Sequence, residues 1–185
     1  MTQWLGILET TGQILVIPPF YENLGKRLIK SPKVYVADSG LACHLLGIDT
    51  VAEFDKSPFR GVLFEGFVAS ELAKAQLNAG ARRELYFFRD EQGLEVDFLV
   101  PGRGGAVRLL ECKASKTVVP AMAGPMLRLA EALGRHRSAG QELDLRLVHE
   151  RPRAGTPTRA VAPGVRGQPW QEFLAEGLVA PPRRL

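Results

Sequence analysis

The sequence has few of the residues that build disulfide frameworks, zinc sites or membrane spans. Its 185 residues include two cysteines, Cys43 and Cys112, which stand far apart without CxxC or Cys/His spacing. No apolar run approaches the roughly 18 residues needed to cross a bilayer, and no Lys or Arg precedes an apolar stretch at the N-terminus. We therefore expect buried free thiols, no membrane association and a cytoplasmic location.

The sequence also lacks the usual elements of ATP binding and of histidine-based catalysis. No GxxxxGKS or GxxxxGKT string occurs, so the chain is not expected to hydrolyse ATP by itself. The three histidines, His44, His136 and His149, are scattered along the chain. We expect each of them to be a surface or core residue rather than a catalytic base.

The composition is that of a globular protein with one core. Hydrophobic residues make up 45% of the chain and charged residues 24%, which is enough for one good core, or one core plus a small module. The net charge of +4 and the pI of about 9.3 are compatible with a polyanionic partner without requiring one.

The first fifty residues have the pattern of a helix, two strands and a second helix. The predicted elements are a helix over 2–11, strands over 14–17 and 34–36, and a helix from Asp38–Ser39 to about residue 46. Gly12 and Gly47 end the two helices. We assign this unit to residues 1–55 and interpret the polar stretch 49–60, with Pro58, as a linker. Because the first helix has no preceding element to pack on, we expect that an N-terminal part of the protein is missing.

The region 56–150 predicts an α/β/α sandwich with a mixed sheet. Its predicted elements are a helix over 62–77, strands over 85–88, 95–100 and 107–113, a helix over 122–133 and a strand over 143–148. Beyond Glu150 the sequence is rich in Pro, Arg, Gly and Thr, so we expect residues 151–185 to be irregular, with a short helix near Trp170.

Candidate site residues lie on two of the predicted strands, with Asp97 on the strand over 95–100 and Glu111 and Lys113 on the strand over 107–113. Strand alternation predicts that Asp97 shares a face with Glu95 and Leu99, and that Glu111 shares one with Lys113. On neighbouring strands, the two carboxylates and the ammonium would meet. Carboxylates hold hard cations such as Mg²⁺, and an ammonium can assist an attacking water and offset charge in phosphodiester hydrolysis. The alternative is a strand with alternating charges on a solvated face. Cys112 lies on the opposite face and is expected in the core.

This arrangement resembles the PD-(D/E)XK motif of metal-dependent nucleases. Asp97, Glu111 and Lys113 fall on its three positions, although the literal Pro-Asp pair is absent. Glu65, on the preceding helix, matches the helical acidic residue that often completes such sites. The resemblance implies that Asp97, Glu111 and Glu65 hold Mg²⁺ or Mn²⁺ and that all four residues take part in catalysis.

Four strings extend the resemblance along the chain: RLIKSPKVYVADSGLACHLLG, FEGFVASELAK, LYFFRDEQGLEVDFLV and LLECKAS. In this order they resemble the C-terminal domain of unknown function (DUF4143-type) of a large prokaryotic family of AAA-type ATPases. The resemblance runs from about Trp4 to Lys116, with a fainter match over 168–174. It implies a restriction-endonuclease-like α/β/α sandwich and a preceding ATPase module, either lost from this chain or encoded separately.

Basic residues cluster between and beside the first two strands: Lys26, Arg27, Lys30 and Lys33. They resemble the wing side of a small, partial winged-helix-like unit, which would suit contact with a nucleic-acid backbone. A solvated hairpin, or a docking surface for the ATPase, is the alternative. Arg89 likewise has two alternative roles: it binds a phosphate, or it forms an ion pair with Glu95.

Three functional hypotheses follow from these patterns. The first is a metal-dependent nuclease acting on DNA. The second is a nuclease-like module that no longer cuts and serves as a partner-docking or DNA-binding domain of an ATPase. The third is a DNA-binding winged-helix protein with a structural sandwich, which the complete set of Asp97, Glu111 and Lys113 disfavours.

Overall fold

The computed structural model describes residues 2–20, 29–135, 142–150 and 160–176. None of the helices in these ranges is long and apolar enough to cross a membrane. The described residues form a two-stranded unit followed by a six-stranded mixed sheet with helices on both faces. A mixed α/β architecture is therefore confirmed.

The N-terminal unit has the predicted order of elements. It consists of α1 (Thr2–Thr10), β1 (Ile14–Ile17), β2 (Lys33–Val36) and α2 (Ser39–Leu45). The two strands are antiparallel, with Ile14 opposite Val36 and Ile17 opposite Lys33. Asp38 caps α2, because its Oδ1 accepts a hydrogen bond from the Leu41 amide at 2.8 Å.

The stretch expected to be a linker contains a helix, α3 (Val51–Lys56). Thr50 and Glu53 form a capping box, in which each side chain accepts a hydrogen bond from the other residue's backbone amide. The polar composition hid this helix, although the capping pair itself is visible in the sequence.

The main sheet follows α4 in the chain. Its elements are α4 (Arg60–Asn78), β3 (Tyr86–Arg89), β4 (Glu95–Pro101), β5 (Val107–Lys113), α5 (Gly124–Gly134), β6 (Leu143–His149), β7 (Ala160–Ala162), β8 (Val165–Pro169) and α6 (Trp170–Ala175). The strand order is β3-β4-β5-β6-β8-β7. The pairs of β5 with β6 and of β6 with β8 are parallel, and the others are antiparallel.

Two apolar clusters cover the two faces of this sheet. On one face, Phe64, Val68 and Leu72 of α4 pack against strand residues including Phe98 and Leu110. On the other face, α5 buries Met126, Leu129 and Leu133 against residues that include Val96, Leu99 and Leu109. Burial of each such side chain contributes roughly 1.5–3 kcal/mol. The layering is helix, sheet, helix, as the apolar periodicity predicted.

The expectation of irregular structure beyond Glu150 is wrong for residues 160–169. They form β7 and β8, and β8 pairs in parallel with β6 from Leu145 to His149. Gly167 and Pro169 give β8 a weak intrinsic strand preference, so long-range pairing decides its structure. The short helix expected near Trp170 is confirmed as α6.

The segment after β1 closes one edge of the sheet. The Phe20 amide donates to the Phe87 carbonyl at 2.7 Å, and the Phe87 amide donates to the Pro18 carbonyl at 3.1 Å. The Ile29 amide donates to the Arg89 carbonyl at 3.1 Å. The N-terminal unit is therefore hydrogen-bonded directly to the edge strand β3.

Candidate active site

Asp97 lies at an irregularity in β4. Tyr86 of β3 pairs with Leu99 and Phe88 pairs with Val96, so β4 has one residue more than its partner between these pairs. As a result, Val96 and Leu99 pack in the same apolar cluster, while Phe98 and Val100 pack in the other. The predicted strict alternation through Asp97 is wrong here. A bulge of this kind turns a side chain towards a new direction.

The Asp97 carboxylate is nearly buried and contacts two neighbouring elements. Its Oδ2 accepts a hydrogen bond from the Cys112 amide of β5 at 2.9 Å. Its Oδ1 lies 3.4 Å from the Lys33 Nζ of β2. The backbone pairing of β4 with β5 ends at Phe98 and Leu110. Beyond this pair, the Cys112 amide of β5 donates to the Asp97 side chain rather than to a backbone carbonyl of β4.

Glu111 and Lys113 form an ion pair beside Asp97. The Lys113 Nζ lies 2.6 Å from Glu111 Oε1, and only 6% of the Glu111 side chain is exposed. Glu111 Oε2 is buried without a hydrogen-bond partner among the described residues. Burial, together with the negative charge of Asp97, raises the pKa of Glu111 to about 7. For Lys113, burial lowers the pKa, but Glu111 outweighs this effect and the net shift is upward.

Glu65 of α4 completes the group of predicted site residues. Its Oε1 accepts a short hydrogen bond from the Tyr35 hydroxyl and another from Lys33 Nζ at 2.6 Å. Burial and the charge of Asp97 raise the pKa of Glu65, although Lys33 and Tyr35 oppose the shift. Burial and the nearby Glu65 carboxylate raise the pKa of the Tyr35 hydroxyl. The structure therefore brings Glu65, Asp97, Glu111 and Lys113 into one cluster.

Lys33 lies inside this cluster rather than on an exposed wing. Its Nζ is 2.6 Å from Glu65 and 2.7 Å from Glu95, and 12% of its side chain is exposed. Burial lowers the pKa of Lys33, but the charges of Glu65 and Asp97 raise it above its ordinary value overall. Of the other basic residues expected to contact nucleic acid, Lys30 is exposed, whereas Lys26 and Arg27 lie outside the described residues.

Glu95 and Tyr35 are site residues that the sequence did not reveal as such. Glu95 contacts Lys33 and also forms a two-bond ion pair with Arg89, at 2.7 and 2.8 Å. Of the two roles considered for Arg89, the structure contains the ion pair. These cations lower the pKa of Glu95 although burial opposes them. Glu95 could have been found from its spacing of two from Asp97, but Tyr35 carries no comparable sequence pattern.

A cavity of about 450 Å³ opens beside the cluster. Its polar lining includes Glu65, Asp97, Lys113, Arg60 and Ser115. Arg60 is held by Glu150 through contacts of 2.7 Å to both carboxylate oxygens. This volume lies within the range usual for sites that bind small molecules.

The donor set suits a metal ion only in part. Asp97 and Glu111 provide carboxylate oxygens of the kind that Mg²⁺ prefers, and the unpartnered Glu111 Oε2 is a buried acceptor. Within the described ranges, however, no three carboxylate, imidazole or thiol groups lie close enough together to hold one ion. Glu65 is occupied by Lys33 and Tyr35.

Residues 60–152, which carry α4 and most of the main sheet, match a domain of unknown function, DUF4143. The chain belongs to the DUF4143 family. Residues 1–52 match a second domain of unknown function, DUF8612. The DUF4143 match contains Glu65, Asp97, Glu111 and Lys113, whereas Lys33 and Tyr35 lie in the other matched segment.

Two curated relatives resemble this DUF4143 protein. They are the uncharacterized protein Mb2031c of Mycobacterium bovis and the uncharacterized protein Rv2008c of Mycobacterium tuberculosis, each 39% identical over 98 residues. These residues are 53% of this chain and 21% of each relative, so the similarity spans about a fifth of the relatives' length. No solved structure matches the chain.

Proposed function

We propose that this DUF4143 protein is a nuclease of the restriction-endonuclease-like class that hydrolyses phosphodiester bonds of DNA with Mg²⁺ or Mn²⁺. The observation that carries the proposal is the convergence of Asp97 on β4 with Glu111 and Lys113 on β5. All three belong to a cluster beside the cavity, and Asp97 and Lys113 line it directly. This is the combination of acidic oxygens and a cation that phosphodiester hydrolysis requires.

Asp97 and Glu111 are the residues that would hold the metal ion, with water in the remaining positions. When bound, a divalent ion supplies a Lewis acid for the phosphate group. Glu65, which the motif would add as a third ligand, is hydrogen-bonded to Lys33 and would support the site from α4.

Lys113 is a cation of the cluster that also lines the cavity. About a third of its side chain is exposed. Its ammonium remains protonated next to Glu111 and can donate a hydrogen bond to a phosphate oxygen, which offsets the charge that develops during attack. By the resemblance to ATPase C-terminal domains, we further propose that the domain works in the cytoplasm with an AAA-type ATPase.

A second candidate function is a docking module that no longer cuts DNA. It is favoured by the ion pairs within the cluster, because Lys33 contacts Glu65 and Asp97 and Lys113 contacts Glu111. The described carboxylates are thereby largely neutralised without a metal ion. Such a cluster can serve as a structural core of an interaction domain.

Cleavage assays distinguish the two candidates. The full chain is incubated with Mg²⁺ or Mn²⁺ and with labelled linear, branched and single-stranded DNA. We expect cleavage by the unaltered chain, and we expect Lys113→Ala and Asp97→Asn each to reduce the rate by at least about a hundredfold. Lys74→Ala is the matched control, since this lysine is exposed on α4 and pairs only with Glu71 among the described residues. If no form of the chain cleaves DNA, the nuclease proposal fails and the docking module replaces it.

A further inference from the structure

Lys33 reaches the candidate site from a separate part of the fold. It is the first residue of β2, in the two-stranded N-terminal unit, and its Nζ lies among carboxylates from α4 and β4. Tyr35, two residues further on β2, donates its hydroxyl hydrogen to the same Glu65 oxygen that Lys33 contacts. The N-terminal unit therefore supplies both a cation and a hydrogen-bond donor to the cluster.

The Lys33 ammonium lies where a metal ion bound by these carboxylates would lie. It contacts Glu65 Oε1 at 2.6 Å, Glu95 Oε1 at 2.7 Å and Asp97 Oδ1 at 3.4 Å. An ion that used both Glu65 and Asp97 as ligands would have to lie between them, where this ammonium now lies. Lys33 thus fills the space between these carboxylates, and no set of three metal ligands is found among the described residues.

A second observation indicates that the cluster can still accept positive charge. Its described members are four carboxylates and three cations: Glu65, Glu95, Asp97, Glu111, Lys33, Arg89 and Lys113. When all four carboxylates are ionised, the cluster has one more negative charge than positive charges. Independently of this balance, Glu111 Oε2 is fully buried and lacks a hydrogen-bond partner among the described residues. Buried oxygens of this kind usually have a partner in the native state.

We infer that Lys33 is a resident counter-cation, and that it competes with a divalent metal ion for Glu65 and Asp97. The segment that carries Lys33 then controls metal binding at a site whose carboxylates belong to the DUF4143 match. Movement of β2 away from α4 would free Glu65 and Asp97 together, whereas the arrangement described here disfavours a metal ion. This inference rests on the proposed function for Asp97 as a metal ligand and adds Glu65, which Lys33 occupies in the arrangement described here. It does not depend on DNA cleavage.

The test measures metal binding rather than activity. Mn²⁺ binding to the full chain is followed by electron paramagnetic resonance for the unaltered protein, for Lys33→Met and for Lys74→Met. We expect Lys33→Met to bind Mn²⁺ at least about tenfold more tightly than the unaltered chain, because it removes the competing charge. Lys74→Met is the matched control and should leave the affinity unchanged, since Lys74 is exposed on α4 and its ion pair is with Glu71, outside the cluster. Adding Asp97→Asn to Lys33→Met should abolish the gain.

Equal or weaker Mn²⁺ binding by Lys33→Met would overturn the inference, including the case in which neither protein binds the ion. Should Lys33→Met unfold on its own, Mn²⁺ is expected to restore its thermal unfolding transition, and failure to do so would also overturn the inference. The two proposals can fail separately. Cleavage without a gain in Mn²⁺ affinity supports the nuclease and refutes the role of Lys33. A gain in Mn²⁺ affinity without cleavage supports the role of Lys33 and refutes the nuclease.

Discussion

Replacing Glu111 by Gln should make the protein more stable at neutral and alkaline pH. Glu111 is almost fully buried, and burial together with Asp97 raises its pKa from 4.5 to about 7. Between these two values, the folded protein keeps a proton on Glu111 that the unfolded chain releases. The contribution of Glu111 to stability is therefore complete below about pH 4.5 and is lost as the pH rises through about 7.

The size of the effect follows from the pKa difference. One pKa unit corresponds to about 1.4 kcal/mol, so ionisation of Glu111 in the folded state costs up to about 3 kcal/mol at about pH 8. Gln has nearly the same shape and no charge, so Glu111→Gln removes this cost. Lys113 loses its partner but is about one-third exposed, and solvent can compensate for much of that loss.

Urea unfolding at a series of pH values measures this difference. The free energy of unfolding of Glu111→Gln should exceed that of the unaltered protein by a margin that grows from near zero at about pH 4.5 to about 2–3 kcal/mol at about pH 8. Glu91→Gln, the same change on an exposed turn residue, should give a profile parallel to that of the unaltered protein. A margin for Glu111→Gln that stays constant across this range would refute the argument.

Two further predictions concern the N-terminal unit and its contact with α4. Gly66→Ala should destabilise the protein by about 1–3 kcal/mol in thermal unfolding, because a Cβ at this position of α4 would lie 3.1 Å from Tyr35 Cδ1. A Cβ at Gly61 on the same helix meets nothing within 4 Å, so Gly61→Ala should be neutral or stabilising by up to about 1 kcal/mol, and equal effects of the two changes would contradict the packing argument. The triple change of Lys26, Arg27 and Lys30 to Ala, with Lys33 retained, should weaken DNA binding as measured by fluorescence anisotropy. The slope of log K against the logarithm of the salt concentration should become less steep by up to about 3. Unchanged binding would favour the docking interpretation of this segment.

The elements that the sequence predicted well are those with strong apolar periodicity. The strand over 107–113 has the predicted bounds, and α4 extends the predicted helix by two residues at its start and one at its end. Two kinds of element were missed. The capped helix α3 is too polar for a periodic pattern, and β8 depends on pairing with β6 rather than on its own composition.

The candidate site was predictable where it depended on local spacing. Asp97 lies on β4, and Glu111 and Lys113 lie on the neighbouring strand β5, which follows after a short connection. Strand alternation therefore predicted that they meet, even though the bulge in β4 changed which side chains share a face. The contacts of Lys33 with Glu65 and Asp97 join residues 32 and 64 positions apart. Nothing in a single sequence indicates such distant pairs, which is why Lys33 was grouped with its basic neighbours.

The hydrogen bonds between the N-terminal segment and β3 have a consequence for how the two matched regions are inherited. The DUF8612 match ends at residue 52 and the DUF4143 match begins at residue 60. The backbone bonds of Phe87 and Arg89 to Pro18, Phe20 and Ile29 cross that boundary. A fragment starting at residue 60 would expose the edge of the six-stranded sheet, where strands of other molecules can add. Recombination that exchanged one region alone would leave an open sheet edge and an unmatched group of carboxylates. The two regions are therefore expected to descend together as one evolutionary unit.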